Sequence, residues 1–242
     1  MRWIVRTLVR GILLRRWQLT GLENFPRSGP VIACSNHVGN LDPPLVPGFL
    51  PRPDTWSMAK AEHFRKPFRR WLFTSYHAFP IVRHTADRQA IRRATKLLAD
   101  GHVLVVYPEG TRIVEGGLRR PEPGAGFLAQ LSQAPVVPIG LVGTREVMPK
   151  GKLLPRPRPI QMHIGRPFRL PAKGPDGKRI RNRDAADAIM LSIAELLTDE
   201  LRGEYADLDG WREKVGGLRD YGIEEHPATG DGHEAEAPQD GS

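Results

Sequence analysis

Short continuous apolar runs alternate along this chain with segments of helical period. Pro30 to Cys34 and Val103 to Val106 are unbroken apolar stretches, the pattern of strands buried on both faces. Val136 to Val142 and Ile160 to Ile164 continue the series, and Thr55 to Ala59 and Phe79 to Arg83 supply shorter strand candidates. Between Thr85 and Asp100 the apolar positions Ala90, Ile91, Ala94, Leu97 and Leu98 keep helical spacing, with Thr85 expected as the N-cap and Gly101 just past the end. A helix is predicted from near Gly124, carrying Phe127, Leu128 and Leu131. A longer one is predicted over Arg183 to Leu201, carrying Ile189, Ile193, Leu196 and Leu197. The five prolines between Pro43 and Asp54 argue against a continuous long helix there. Strands alternating with helices predict an α/β domain with a largely parallel central sheet flanked by helices.

Both ends depart from this pattern. Met1 to Leu19 mixes Arg2, Arg6, Arg10, Arg15 and Arg16 with Trp3, Ile4, Leu8, Ile12 and Trp17, and holds no acid. On a helix the arginines at 2, 6 and 10 share one face and Ile4, Leu8 and Ile12 another. That suits an N-terminal amphipathic helix in a membrane interface, or one packed on the domain with its arginines in water. Its apolar core is too interrupted for a signal peptide. A second basic and aromatic stretch, Phe64 to Phe73, is open to the same two readings: a membrane-facing surface or a core stripe with a charged outer face. Residues 222–242 are rich in Gly, Pro, Asp and Glu and read as a disordered acidic tail. The expected organisation is therefore an amphipathic membrane-associating segment over 1–20, one domain over 21–221 and the tail.

Charge narrows the partners. The 242 residues carry a net +9. The tail holds six acids and no Lys or Arg, which leaves +15 on the body and calls for an anionic partner. No nucleic-acid signature accompanies the charge, so nucleic acid is not expected. A single cysteine, Cys34, excludes an internal disulfide. No run of 18 apolar residues suggests a spanning helix.

In open parallel sheets, ligands bind beyond the carboxyl ends of strands. Three segments here end a predicted strand in chemically loaded residues. Asn36 to Asp42 offers His37 with a carboxylate five residues on, the minimal general-base pair. Phe79 to Arg83 ends in a cation. Tyr107 to Arg112 brings Gly110, a hydroxyl on Thr111 and the guanidinium of Arg112, which can fork onto a phosphate. Together they suit transfer to a phosphate-bearing alcohol.

These segments resemble the blocks of the glycerolipid acyltransferase family, of the lysophosphatidic acid acyltransferase type. Asn36, His37 and Asp42 match its Asn-His-x4-Asp block, and Phe79-Pro80-Ile81-Val82-Arg83 resembles the second. Tyr107-Pro108-Glu109-Gly110-Thr111-Arg112 matches the third without a gap, and Val137-Pro138-Ile139 the fourth. Lys60, two residues before Glu62, stands where the family has a phosphate-contacting Lys. The resemblance implies one direct acyl transfer from acyl-CoA or acyl carrier protein to the free hydroxyl of 1-acylglycerol-3-phosphate, giving phosphatidic acid in phospholipid biosynthesis. His37 would be the base and Asp42 its orienter. Asn36, Lys60, Arg83, Glu109, Gly110, Thr111 and Arg112 would bind or order the acceptor, with Glu109 holding Arg112 or Lys60 in place. It implies no cofactor and no metal, and a peripheral or monotopic place on the cytoplasmic face of the cell membrane, against anionic lipids. One departure is Glu122, where the family usually has a Lys two residues before the helix glycine; that Lys is dispensable here or replaced by Arg119 or Arg120. The alternatives are the same chemistry on another lysophospholipid, a covalent route through Cys34 or Ser35, and a non-enzymatic basic membrane-binding protein.

Overall fold

The computed structural model of the chain describes residues 17–82, 87–113, 115–148, 156–174 and 177–223. The amphipathic segment up to residue 16, Arg83, Thr85 and the acidic tail from residue 224 lie outside the described residues.

The two continuous apolar runs lie side by side at the centre of a seven-stranded sheet. They are β2 (Val31–Ser35) and β5 (Val103–Val106), parallel, with Cys34 opposite Val106. Beyond β5 come β3 (Thr55–Lys60) and then β4 (Ala78–Ile81). Beyond β2 come β6 (Val136–Val142), β7 (Ile160–Ile164) and β1 (Trp17–Thr20). The first five of these strands run parallel. β7 is antiparallel to β6, and β1 is parallel to β7, so the expected largely parallel sheet carries a reversed pair at one edge.

Side chains on a strand alternate between faces, and here both faces are covered. Ile32, Cys34, Leu104 and Val106 point into one core with Ala94, Leu98, Leu128 and Ile189. Val31, Ala33, Val103 and Val105 point into the other, with Leu45, Val46, Phe49 and Phe25. That is why these strands read as unbroken apolar runs instead of alternating ones.

The helices are α1 (Asp42–Phe49), α2 (Pro67–Ser75), α3 (Arg88–Ala99), α4 (Gly124–Ser132), the single turn α5 (Thr144–Val147), α6 (Asn182–Ala194) and α7 (Leu208–Val215). Several differ from expectation. The segment 17–20, expected to end the amphipathic helix, is instead an edge strand, and Trp17 packs on Phe49 at 4.5 Å between ring centroids. α1 is only eight residues long, in keeping with the prolines: Pro43 and Pro44 sit in the first turn, where a missing N–H has no acceptor to lose, and Pro47 lies inside it. α3 is capped by Asp87, whose carboxylate accepts from the Gln89 and Ala90 N–H groups at 3.1 and 3.0 Å. α6 stops at Ala194, short of Leu201. The Arg202 guanidinium caps the Ala194 carbonyl at 3.2 Å, and the chain continues in tighter turns.

Candidate active site

β2, β3, β4, β5 and β6 all deliver their carboxyl ends to one rim. The chain leaves β2 for β3 and β4 on one side, then returns through β5 to place β6 on the other. This is the switch in direction that opens a crevice at strand ends.

At the centre of that rim Ser35 hands over to Asn36, which is 1% exposed. Its side-chain amide donates to the Leu141 carbonyl at 2.9 Å and accepts from the Leu141 N–H at 2.7 Å. Both ends of the amide are thus spent on β6. Asn36 clamps the loop to the neighbouring strand, because a buried amide must find partners for its donors and its acceptor.

The next residue is His37. Its Nδ1 lies 2.8 Å from Asp42 Oδ2, and the same oxygen accepts from the Val38 and Gly39 N–H groups at 2.7 Å each. An ionised carboxylate only accepts, so Nδ1 carries the proton and Nε2 is left as the basic nitrogen. Asp42 is fully buried in the first turn of α1, where three donors and the positive end of the helix offset the loss of hydration. The tight turn needs Gly39: a Cβ there would come within 2.9 Å of the Thr144 hydroxyl. The His37 carbonyl accepts from Ile113 N–H at 2.8 Å. The Tyr107 ring packs against the imidazole with centroids 4.4 Å apart. Its place directly after a buried strand, within the Tyr-Pro-Glu-Gly-Thr-Arg run, was the signal for its contact with the base.

The other rim residues do not all pair as expected. Glu109 does not hold Arg112 or Lys60: its Oε2 accepts from the His37 N–H at 3.2 Å. Lys60 pairs with Glu62 at 3.2 Å, and Arg112 donates to the Asn40 side chain. Thr111 and Arg112 are exposed at the rim, and Gly110 adopts a left-handed φ of 68°. Any Cβ at Gly110 would be strained there and would come within 3.0 Å of the Glu122 side chain. Arg83 lies outside the described residues, but β4 brings the chain to the rim at Ile81, two residues before it. Arg120 is not available to replace the family's Lys. It forks onto buried Asp187 at 2.9 and 2.6 Å, and Tyr205 donates to the same carboxylate at 2.6 Å. Arg119 is exposed. The Val137-Pro138-Ile139 block lies inside β6, with Pro138 opposite Cys34 and Ile139 opposite Ser35, so it supports the strand that leads into the His37 loop.

Burial raises the Glu109 carboxyl from 4.5 to about 8, against the opposing effect of the His37 and Arg119 backbone N–H groups. The folded state therefore holds this proton more tightly than the unfolded chain does. The resulting stability is fully present below about pH 4.5 and is lost as pH rises to about 8, at up to about 1.4 kcal/mol per pH unit. Glu109→Gln keeps a carbonyl for the His37 N–H and removes this titration. Thermal melts from pH 5 to 9 should show the variant's Tm advantage over wild type growing up to about pH 8 and then levelling. Cys34 is fully buried, and burial pushes its thiol well above the ordinary value, which keeps it protonated and inert.

Beside the rim a pocket of about 560 Å³ opens between β3, β4, α3 and α4. Met58, Ile81, Ile91, Phe127 and Leu128 give it an apolar wall, and Tyr107 and Gly110 line it as well, so it adjoins the loop that carries Glu109.

A protein-family model described as Acyltransferase matches residues 16–142, over half of the chain. The 1-acyl-sn-glycerol-3-phosphate acyltransferase of Bacillus subtilis is 37% identical over 137 residues, 54% of this chain and 66% of that protein. The enzyme of the same name from Pseudomonas aeruginosa is 27% identical over 197 residues, 80% of this chain and 74% of that protein. The chain spans 39% of the chloroplastic Brassica napus relative and 66% of the Bacillus one, so the match covers part of these relatives. Among solved structures, the 1-acyl-sn-glycerophosphate (LPA) acyltransferase PlsC of Thermotoga maritima superposes with a TM-score of 0.60 at 25% identity, over 81% of this chain and 80% of that one. By the family model that matches over half of its length, this chain belongs to the acyltransferase family, and its fold is similar to that of the Thermotoga enzyme.

Proposed function

We propose that the protein transfers a fatty acyl group from a thioester, acyl-CoA or acyl carrier protein, to the free hydroxyl of 1-acylglycerol-3-phosphate. The product would be phosphatidic acid, a phospholipid precursor. The observation that carries this reading is the His37–Asp42 pair, buried beneath a strand-end rim that bears Lys60, Thr111 and Arg112.

His37 Nε2 takes the hydroxyl proton as the acceptor oxygen attacks the thioester carbonyl. The imidazolium is stabilised by Asp42. As the tetrahedral intermediate collapses, the carbon–sulfur bond breaks and His37 returns its proton to the leaving thiolate. The thioester arrives already activated, so the hydroxyl needs only this base. Lys60, Arg112 and Arg83 bind the acceptor phosphate, with Arg112 swinging from Asn40, a contact at the surface and therefore weakly held. The Thr111 hydroxyl and the Gly110 backbone complete that side. Glu109, neutral below about pH 8, and Asn36 hold the His37 loop in place. The apolar pocket beside Tyr107 takes an acyl chain. The inert, buried Cys34 disfavours a covalent acyl-enzyme on the thiol.

Release of free thiol from acyl-CoA or acyl carrier protein, measured across a panel of lyso-lipids, tests the assignment. Lysophosphatidic acid should give the fastest release. Equal or faster release with acceptors lacking a terminal phosphate monoester would move the acceptor to another lysophospholipid. Vesicle binding without any release would favour a non-enzymatic membrane-binding protein. The reading places the protein peripherally on the cytoplasmic face of the membrane, where acyl thioesters are supplied. Among the described residues no helix is long and apolar enough to cross a membrane.

A further inference from the structure

We propose that α2 is a membrane-docking helix, with Phe68 and Trp71 entering the boundary between headgroups and acyl chains of a bilayer that contains anionic phospholipid. Arg65, Lys66, Arg69 and Arg70 would lie on its lipid phosphates. The inference rests on the lipid-acceptor reading above for its choice of partner, and on the surface itself for its location.

A helix that connects two parallel strands ordinarily buries its inner face on the sheet. α2 connects β3 to β4, and none of its residues is buried. Its inner contacts are slight: Phe73 stacks on His63 at 4.8 Å and meets Phe64 at 5.6 Å. On the outer side Phe68 is 70% and Trp71 61% exposed, an i, i+3 pair with ring centroids 6.1 Å apart. Two large aromatics held side by side in water are an unfavourable arrangement unless something covers them.

Charge says what covers them. From Arg65 to Tyr76 the chain has four cations and no acid, and all four are exposed around the aromatic pair. A second copy of this surface would be repelled by the like charges. An anionic bilayer offers both components at once: phosphates for the cations and an apolar layer just beneath for the rings, with Trp suited to that interface. The placement also serves the chemistry. α2 starts one short turn after Lys60, at the carboxyl end of β3, so its amino end stands at the rim that carries His37. Docking there would hold the site against the layer in which a lyso-lipid diffuses.

The test uses the full chain with phosphatidylcholine vesicles, with and without phosphatidylglycerol. Brominated acyl chains should quench a fluorescence component present in wild type and missing from Trp71→Phe. Phe68→Ser/Trp71→Ser should bind anionic vesicles about tenfold or more weakly than wild type. Arg69→Glu/Arg70→Glu should shrink the preference for anionic over neutral vesicles. Both pairs are exposed, so folding should survive, which circular dichroism checks. With a short-chain lysophosphatidate dissolved in water, Phe68→Ser/Trp71→Ser should release thiol at the wild-type rate, while falling behind on vesicle-borne acceptor. A Trp71 that bromolipids do not quench, or a serine variant that binds vesicles like wild type, overturns the proposal. So does a serine variant that loses affinity for acidic acyl carrier protein and keeps its affinity for vesicles. If Trp71 enters the bilayer but no acceptor elicits thiol release, the docking surface stands and the proposed activity falls.

Discussion

His37→Ala is expected to lower acceptor-dependent acyl transfer by about 10²–10⁴-fold, with little change in acceptor affinity. The acceptor hydroxyl is far too weak an acid to ionise near neutrality, so its proton must leave as the oxygen attacks. Among the described residues of this site, Nε2 is the nitrogen placed to take it: Nδ1 is engaged by Asp42 at 2.8 Å, and Lys60 and Arg112 serve as donors. The imidazole ring is buried against Tyr107, so its truncation costs some stability, but it belongs to neither apolar core. The loop is held by backbone contacts of His37, namely its N–H to Glu109 and its carbonyl from Ile113, and these survive truncation to alanine. A folded protein with a slow chemical step is therefore the predicted result. It is checked by thiol-release kinetics together with a melting curve.

Asp42→Asn should have an effect of comparable size, and a more diagnostic one. The single oxygen that meets His37 also takes the Val38 and Gly39 N–H groups. An asparagine carbonyl can occupy that place and keep all three contacts, so the turn is preserved while the negative charge is lost. The imidazolium formed in the transition state then has no counter-charge. By comparison with other carboxylate-oriented histidines, a fall of about 10³–10⁴-fold is expected. Because neutral His37 loses less than its protonated form, the loss should appear in kcat and leave KM nearly unchanged. Asp42→Ala should add a structural defect, since two backbone donors of the turn would be stranded. Comparing Tm for the two variants separates the roles.

The strand order and the site were legible to different extents, for physical reasons. β2 and β5 declared themselves because strands covered on both faces need apolar residues at every position. His37 and Asp42 were legible because a local loop fixes their geometry through sequence neighbours. The strand contact of Asn36 was not legible because its partner, Leu141, lies 105 residues away; nothing local shows that an amide will bond to another strand. The same limit applied to Glu109, whose partner is the backbone N–H of His37, and to Arg120, taken by Asp187. β1 was hidden because its strand pairing is supplied by β7, far along the chain, while its basic and apolar composition continues that of the preceding segment. The aromatic stretch at 64–73 carried two readings that only exposure could divide: Phe68 and Trp71 face water, and the core stripe is absent from α2.

The measurement that tests the central claim most directly is a parallel assay of wild type and His37→Ala at the same protein concentration. Free thiol released from acyl-CoA and from acyl carrier protein is followed with and without lysophosphatidic acid. The account predicts release by wild type that depends on the acceptor and yields phosphatidic acid, and a rate for His37→Ala lower by at least about 10²-fold. Acceptor-dependent release that proceeds at the wild-type rate without the His37 imidazole would contradict it.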